Sequence, residues 1–173
     1  MAFAGKEKEA RLLDSYLNEI QPNDRTNREG HAAKVYFNAL FGPDFTRSAD
    51  NNINAALNYG YTILLSAFNR EIASSGYSTQ LGIFHDNMFN PFNLGSDLME
   101  PFRIAVDWTV YQMDLTEFSH EEKMQLVAVL NKEVRIDGKY QYLNNAIRIY
   151  CKSVFEALNE EDISLLRFYS DEL

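Results

Sequence analysis

Three carboxylates and one imidazole stand in this sequence where their types and spacing could do chemistry. Glu29 lies one, two and three turns ahead of Ala33, Tyr36 and Leu40, on the face that a helix here should bury, and a buried carboxylate needs a partner. Asp97 and Glu100 are three residues apart, so on a helix both leave from one side. His85 ends the apolar run Leu81-Gly82-Ile83-Phe84. Converging from separate elements, these groups would form an oxygen-rich site for a hard divalent cation such as Mg²⁺ or Mn²⁺, with zinc less favoured. Each also has a plainer role. Glu29 in a first turn favours the helix dipole, Asp97 near a helix start can cap it, and His85 can be a satisfied core or loop histidine. His31 and His120 lie in polar first turns without a nearby acidic pair, which suits ordinary surface histidines. Spacing alone leaves these alternatives open.

The elements that must position these residues are helical. Leu12, Leu13, Tyr16, Leu17 and Ile20 recur at three- and four-residue steps, which predicts an amphipathic helix over Lys6 to Ile20, stopped by Pro22. After a polar link, Asn27 is a suitable N-cap for a second helix over Arg28 to Leu40, broken by Gly42-Pro43. Asp50 can cap a long third helix with Ile53, Leu57, Tyr61, Leu64, Phe68 and Ile72 on one face and Gly76 as its stop. Gly60 in its middle predicts a close helix crossing. From Gly76 to Gly95 the period vanishes into Tyr, Ser, Asn, Phe and Pro, a length of loop that is uncommon unless it works at a site.

Ser96 or Asp97 is expected to open the next helix, through Leu98, Phe102, Val106 and Val110, with Pro101 tolerated near its start or bending it. Ser119 and Glu122 form a capping-box pattern, and Val134 to Tyr142 alternates about Asp137-Gly138 as a small hairpin should. A last helix is expected over Asn144 to Leu158, followed by an acidic, frayed tail at 159–173. In the Asp86 to Gly95 loop, Phe89 and Phe92 either pack under the site or wait for bases and sugars to cover them.

Composition narrows the function classes. The chain has 173 residues, 46% of them hydrophobic, which suits one domain with a packed core. Its net charge of −9 argues against a nonspecific electrostatic grip on nucleic acid, so any DNA must meet a local patch. The one cysteine, Cys151, excludes an internal disulfide framework and a cysteine-only zinc site. No run approaches the roughly 20 apolar residues of a membrane span. Lys6, Glu7, Lys8 and Glu9 stand where a signal peptide would be apolar, so the expected location is cytoplasmic.

The strings NREGHAAKVYF (Asn27 to Phe37), INAALNYGYTILLSAFNREIASSG (Ile53 to Gly76), FHDNMFNPFNLGSDLMEPFR (Phe84 to Arg103) and IDGKYQYL (Ile136 to Leu143) resemble the catalytic helical lobe of the bacterial CRISPR adaptation integrase, the Cas-one endonuclease family, in its type II branch. The resemblance runs from Leu12 to about Leu158. It implies a mainly α fold: one compact multi-helix catalytic domain over residues 1–173 with one small β-hairpin, lacking the β-rich domain that family members carry before this lobe.

By position it implies that Glu29, His85 and Glu100 are the metal-binding and catalytic residues. Asp97 falls at an acidic position that accompanies them and supports the ligands from behind. Arg28, Lys34, Arg70 and Arg103, which flank the motif helices, and Phe89 and Asn90 in the loop become candidate DNA contacts, although for each cation a solvated or ion-paired surface role competes. The implied activity is metal-dependent DNA cleavage and integration with Mg²⁺ or Mn²⁺, joining 3′-hydroxyl DNA ends to the CRISPR repeat by transesterification at phosphorus. The implied partners are double-stranded DNA fragments, repeat DNA, the small companion subunit of the adaptation complex, and a second copy held weakly or not at all without the β-rich domain. The competing expectation is a noncatalytic module whose carboxylates only staple helices and which docks other adaptation proteins.

Overall fold

The computed structural model describes residues 5–17 and 27–170. The end of the first expected helix and the Gln21 to Thr26 link lie outside the described residues. The described elements are mostly helical with a small antiparallel sheet: α1 (Glu7–Leu17), α2 (Arg28–Phe41), α3 (Asn52–Ser74), α4 (Asn93–Met99), α5 (Arg103–Gln112), α6 (His120–Val127), β1 (Glu133–Ile136), β2 (Lys139–Tyr142), α7 (Leu143–Glu160) and β3 (Tyr169–Ser170). Residue contacts divide the chain into two compact units, one ending at Asn54 and one beginning at Ala55.

In the first unit α1 packs against α2, and the Arg28 guanidinium lies 5.4 Å from the Tyr16 ring centroid. Phe37, Phe41 and Phe45 form a ring cluster with centroids 5.1 to 6.4 Å apart, and Arg47 covers Phe37 at 5.5 Å. Packing here is shallow: α1 buries none of its residues and α2 only Leu40. Asn27 precedes α2 in the left-handed region (φ 52°) and makes no side-chain cap bond. The cap of α3 is Asn51, not Asp50: its Oδ1 accepts the Asn54 amide at 2.8 Å.

In the second unit the expected faces meet. Leu57, Leu64, Phe68 and Ile72 of α3, Val106 and Val110 of α5, and Ile147 of α7 are all but fully buried. Gly60 marks the predicted close crossing: a Cβ there would sit 2.4 Å from Val106 Cγ1, so α3 and α5 approach where only glycine fits. Phe68, Phe102 and Tyr150 join three elements with centroids 5.0 to 6.3 Å apart, Phe68 edge to face with both partners and Phe102 tilted against Tyr150. Ser119 and Glu122 close the predicted capping box at the start of α6. In the β1–β2 hairpin Ile136 pairs with Lys139, and Asp137 and Gly138 both take positive φ, the two-residue turn that Asp-Gly favours.

The segment after α7 is not a frayed tail up to Ser170. Ile163–Leu165 form a 3₁₀ turn, and β3 pairs with β1, with Tyr169 opposite Ile136. The cause is apolar: Tyr169 lies 4.5 Å from Phe102, centroid to centroid, so its ring is drawn against the core, while Phe168, 5.6 Å from Tyr150, stays more than half exposed.

Candidate active site

The segment from Ser75 to Phe92 is irregular but braced by side chains. Asn93, 4% exposed at the start of α4, donates through Nδ2 to the Gln80 carbonyl (3.1 Å) and the Asn87 carbonyl (3.0 Å). Asn87 Oδ1 accepts from the Phe89 amide and Asn90 Oδ1 from the Phe92 amide, each at 3.0 Å, which makes two successive asparagine turns. Thr79 Oγ1 donates to the Pro91 carbonyl at 2.8 Å and ties the two ends of the segment together. This backbone is held largely by polar groups, and most of its apolar side chains turn outward: Leu81, Ile83, Phe84, Met88 and Phe89 are all strongly exposed, while Tyr77 near its start stacks on Phe155 of α7 with ring centroids 4.0 Å apart.

His85 sits in this segment against Asp97. Because α4 begins at Asn93 and not at Ser96, Asp97 falls inside the helix and does not cap it. Its carboxylate reaches back to the turn before His85. Oδ2 accepts the Ile83 amide (2.5 Å) and the Phe84 amide (3.0 Å), and Oδ1 accepts the His85 amide (3.1 Å) and lies 2.5 Å from His85 Nδ1. Burial acts to raise the Asp97 pKa, but the bonds from the Phe84 amide, the His85 ring and the His85 and Ile83 amides outweigh it and hold the carboxyl below its usual range. With Nδ1 engaged, the remaining ring nitrogen, Nε2, is the one that can meet a ligand, on a side chain 41% exposed.

Glu100 follows on a 3₁₀ turn, Glu100–Phe102, where Pro101 ends the α geometry. The expected common side for Asp97 and Glu100 therefore gives way to different partners. Glu100 Oε1 pairs with Arg103 Nη2 at 3.1 Å, on a carboxylate 43% exposed. Arg103 also covers the Tyr61 ring at 4.9 Å, and the Tyr61 hydroxyl donates to Asp107, which is buried. The sequence reading passes over Asp107. The available signal was an acid one turn beyond Arg103, set in the apolar stripe of Val106 and Val110, where burial demands a donor.

Glu29 is on the first turn of α2, in the first unit, and is exposed, not inward. A short helix that buries only Leu40 has no deep face for it. Lys34 is exposed on the same helix. Arg70 pairs with Glu71 at 3.2 Å and donates to Asn144 Oδ1 at 2.6 Å. Phe89 is 85% exposed and Phe92 is 40% exposed, so neither packs into a core beneath His85. Asn90 uses its side chain within the loop, at Phe92 and Ser96.

Among the described residues no three His, Cys, Asp or Glu side chains converge as a metal-binding group. The donor chemistry of His85 nonetheless fits a divalent ion: a carboxylate on Nδ1 and an outward Nε2 is the arrangement in which a histidine serves as a ligand. Glu100, in the same unit, carries an exposed carboxylate.

Residues 7–136 match the family description "CRISPR associated protein Cas1". The chain belongs to the Cas1 family. It is 37% identical over 141 residues to the CRISPR-associated endonuclease Cas1 of Neisseria meningitidis serogroup C, covering 79% of this chain and 46% of that protein. It is 33% identical over 144 residues to a CRISPR-associated endonuclease Cas1 of Thermus thermophilus, covering 79% and 43%. The chain thus spans about half the length of these Cas1 relatives. Among solved structures, a casposase bound to integration product shares the fold, with a TM-score of 0.68 at 22% identity over 90% of this chain and 61% of that one. No helix among the described residues is long and apolar enough to cross a membrane.

Proposed function

We propose that this chain is the catalytic helical lobe of a type II CRISPR adaptation integrase, a metal-dependent DNA endonuclease that joins 3′-hydroxyl DNA ends to repeat DNA. Membership of the Cas1 family supports the class of reaction, and the anchored His85 is the observation that carries the site. Glu29, His85 and Glu100 would hold Mg²⁺ or Mn²⁺. When bound, such an ion lowers the pKa of an attacking hydroxyl and stabilises the charge that develops on the phosphoryl and leaving oxygens. His85 presents Nε2 as a ligand and not as a proton donor, since one nitrogen cannot serve both purposes at once. Arg103, held over Tyr61 beside Glu100, supplies positive charge where a phosphate would approach, and Arg28, Lys34 and Arg70 are further candidates for backbone contact. Phe89 and Asn90 lie on the loop that would meet sugars and bases. With water as the nucleophile the same groups would cleave DNA.

Fragment DNA, repeat DNA and the small companion subunit are the proposed partners. Self-association is proposed to be weak in this lobe alone, and the proposed setting is the bacterial cytoplasm. A second reading, a noncatalytic docking module, draws on the exposed apolar side chains from Leu81 to Phe89.

Manganese titration with a DNA strand-transfer assay separates the two. It should be run on this chain alone and on the chain joined to the β-rich domain that the family carries before it. In the joined form Glu29→Ala, His85→Ala and Glu100→Ala are each expected to cut joining by at least about 100-fold, a few kcal/mol of transition-state stabilisation, with the helical circular dichroism unchanged. Normal strand transfer by Glu100→Ala would refute the assignment.

A further inference from the structure

We infer that the outer face of the β1–β2 hairpin is a nucleic-acid contact separate from the proposed metal site: a platform for an unpaired DNA strand, built on Tyr140 and Tyr142 with Arg135 beside them. The register sorts the side chains. Val134 and Ile136 of β1 are buried, so Glu133 and Arg135 belong to the opposite face, and their partners across the hairpin, Tyr142 and Tyr140, share it. This face is open to solvent: Tyr140 is 65% and Tyr142 59% exposed, and Arg135 opposite Tyr140 is exposed as well. β2 is an edge strand, so the two rings also stand at the border of the sheet. Rings on a solvent face offer a stacking surface to any base, and an adjacent guanidinium offers a partner for its phosphate. The inference goes beyond the metal-site reading and shares with it only that the ligand is DNA.

Charge and spacing select the occupant. The whole chain carries −9, yet between Lys132 and Lys152 stand 5 of its 16 lysines and arginines and only 2 of its 25 acids. Lys132 is spent on Thr109 Oγ1, but Arg135, Lys139 and Arg148 are exposed. Arg148 donates to Asn145, which in turn donates to Gln141, and this relay sets its charge beside the β2 edge. A polyanion is the complementary partner. Tyr140 and Tyr142 are two residues apart on one strand, which separates them by about 7 Å, roughly twice the 3.4 Å rise between stacked bases. Only a strand whose bases have come apart can lay one on each ring, and an intact duplex cannot. Glu133, opposite Tyr142, is the acid on this face, so the phosphates are expected toward Arg135 and Lys139.

The test is the binding of a fluorescein-labelled oligothymidylate of about 12 nucleotides, read by anisotropy at low salt, with a blunt duplex of the same length for comparison. Wild type is expected to prefer the single strand. Tyr140→Ala and Tyr142→Ala are each expected to weaken that binding by about 5- to 150-fold with melting unchanged. Both rings are largely exposed, and Tyr142, although it precedes α7, makes no side-chain cap bond. Tyr140→Phe keeps the ring and should bind as wild type does. Arg135→Gln is expected to lower the slope of log affinity against log salt by about 0.7, the share of one phosphate contact on a single strand. Glu133→Gln should tighten binding. No measurable binding by wild type, or equal binding by the variant carrying both alanines, would overturn the inference and leave the face to a protein partner. Melting that falls while binding holds would make the rings hairpin staples and overturn it equally. Ring-dependent binding together with normal strand transfer by Glu100→Ala in the joined protein would sustain this face while sinking the metal site, so the two failures are distinct.

Discussion

Helix α7 and the segment between α3 and α4 are both rich in apolar and aromatic residues, yet they are held in opposite ways. In α7 the side chains of Ala146, Ile147, Tyr150, Cys151, Val154 and Phe155 are buried, and the backbone satisfies itself along the helix. Between Ser75 and Phe92 the backbone is satisfied by Asn87, Asn90, Asn93, Asp97 and Thr79, and Leu81, Phe84, Met88 and Phe89 face outward. One region is stabilised by removing apolar surface from water and the other by side chains standing in for missing secondary structure. A site that must meet a large ligand can be built on the second kind of scaffold, because its shape does not depend on keeping its apolar groups covered.

The sharpest way to break this contrast is to remove apolar volume where the core is densest. Phe102 is fully buried against Phe68, Tyr150 and Tyr169. Phe102→Ala is expected to cost about 3–5 kcal/mol in urea unfolding, loosening β3 as well as α3 and α7. A loss below about 1 kcal/mol would mean that this cluster is not the centre of the core.

The braced segment should fail locally. Asn93→Ala leaves the Gln80 and Asn87 carbonyls without their donor and is expected to cost about 1–3 kcal/mol. Hydrogen exchange should show the cost confined to the amides of the segment, with α7 still protected. Uniform deprotection of both regions would show that the segment is part of the cooperative core and not a scaffold of its own.

A pH test bears on the α7 side. Burial, followed by the charge of Glu71, pushes the Cys151 thiol from its ordinary value of 9.0 to about 12, and burial likewise pushes Tyr150 to about 12. Both groups fold in their neutral, protonated forms. Their contribution is complete below the ordinary pKa values and is lost as pH rises from about 9 toward 12. The urea midpoint should fall over that window, less steeply in Cys151→Ala, and Cys151 in native protein should resist alkylation at neutral pH until the chain unfolds. Rapid labelling of the native thiol would contradict the packing around α7.

What the sequence made legible follows the same division. The faces of α3, α5 and α7, the crossing at Gly60, the capping box at Ser119 and the Asp137-Gly138 turn are each written in local pattern, and each is found. Periodicity could not tell that Asn93, not Ser96, opens α4, because Asn93 is fixed by carbonyls 6 and 13 residues away. It assigned Glu29 an inward face because the pattern of α2 is apolar, although the helix buries almost nothing. His85 and Asp97 could be named separately, but the bond between them joins the loop to α4 across 12 residues of chain, which no spacing rule encodes.

The smallest expected effect on stability belongs to Phe89. Its ring is 85% exposed, and only its amide is engaged, by Asn87 Oδ1. Phe89→Ala therefore removes little buried area and keeps the backbone bond, so the unfolding free energy should stay within about 0.5 kcal/mol of wild type. Phe92, 40% exposed, should lose somewhat more on truncation because part of its ring is covered. On the proposed integrase reading, what would cover a solvent-facing phenylalanine on this braced loop is nucleic acid. Stacking of a base on such a ring is worth about 1–3 kcal/mol, so Phe89→Ala should weaken fragment binding by roughly 5- to 150-fold without a change in melting. A fall in melting temperature with binding intact would put Phe89 on the packed side of the comparison. Unchanged melting together with unchanged binding would reduce the loop to a spacer that delivers His85 to Asp97.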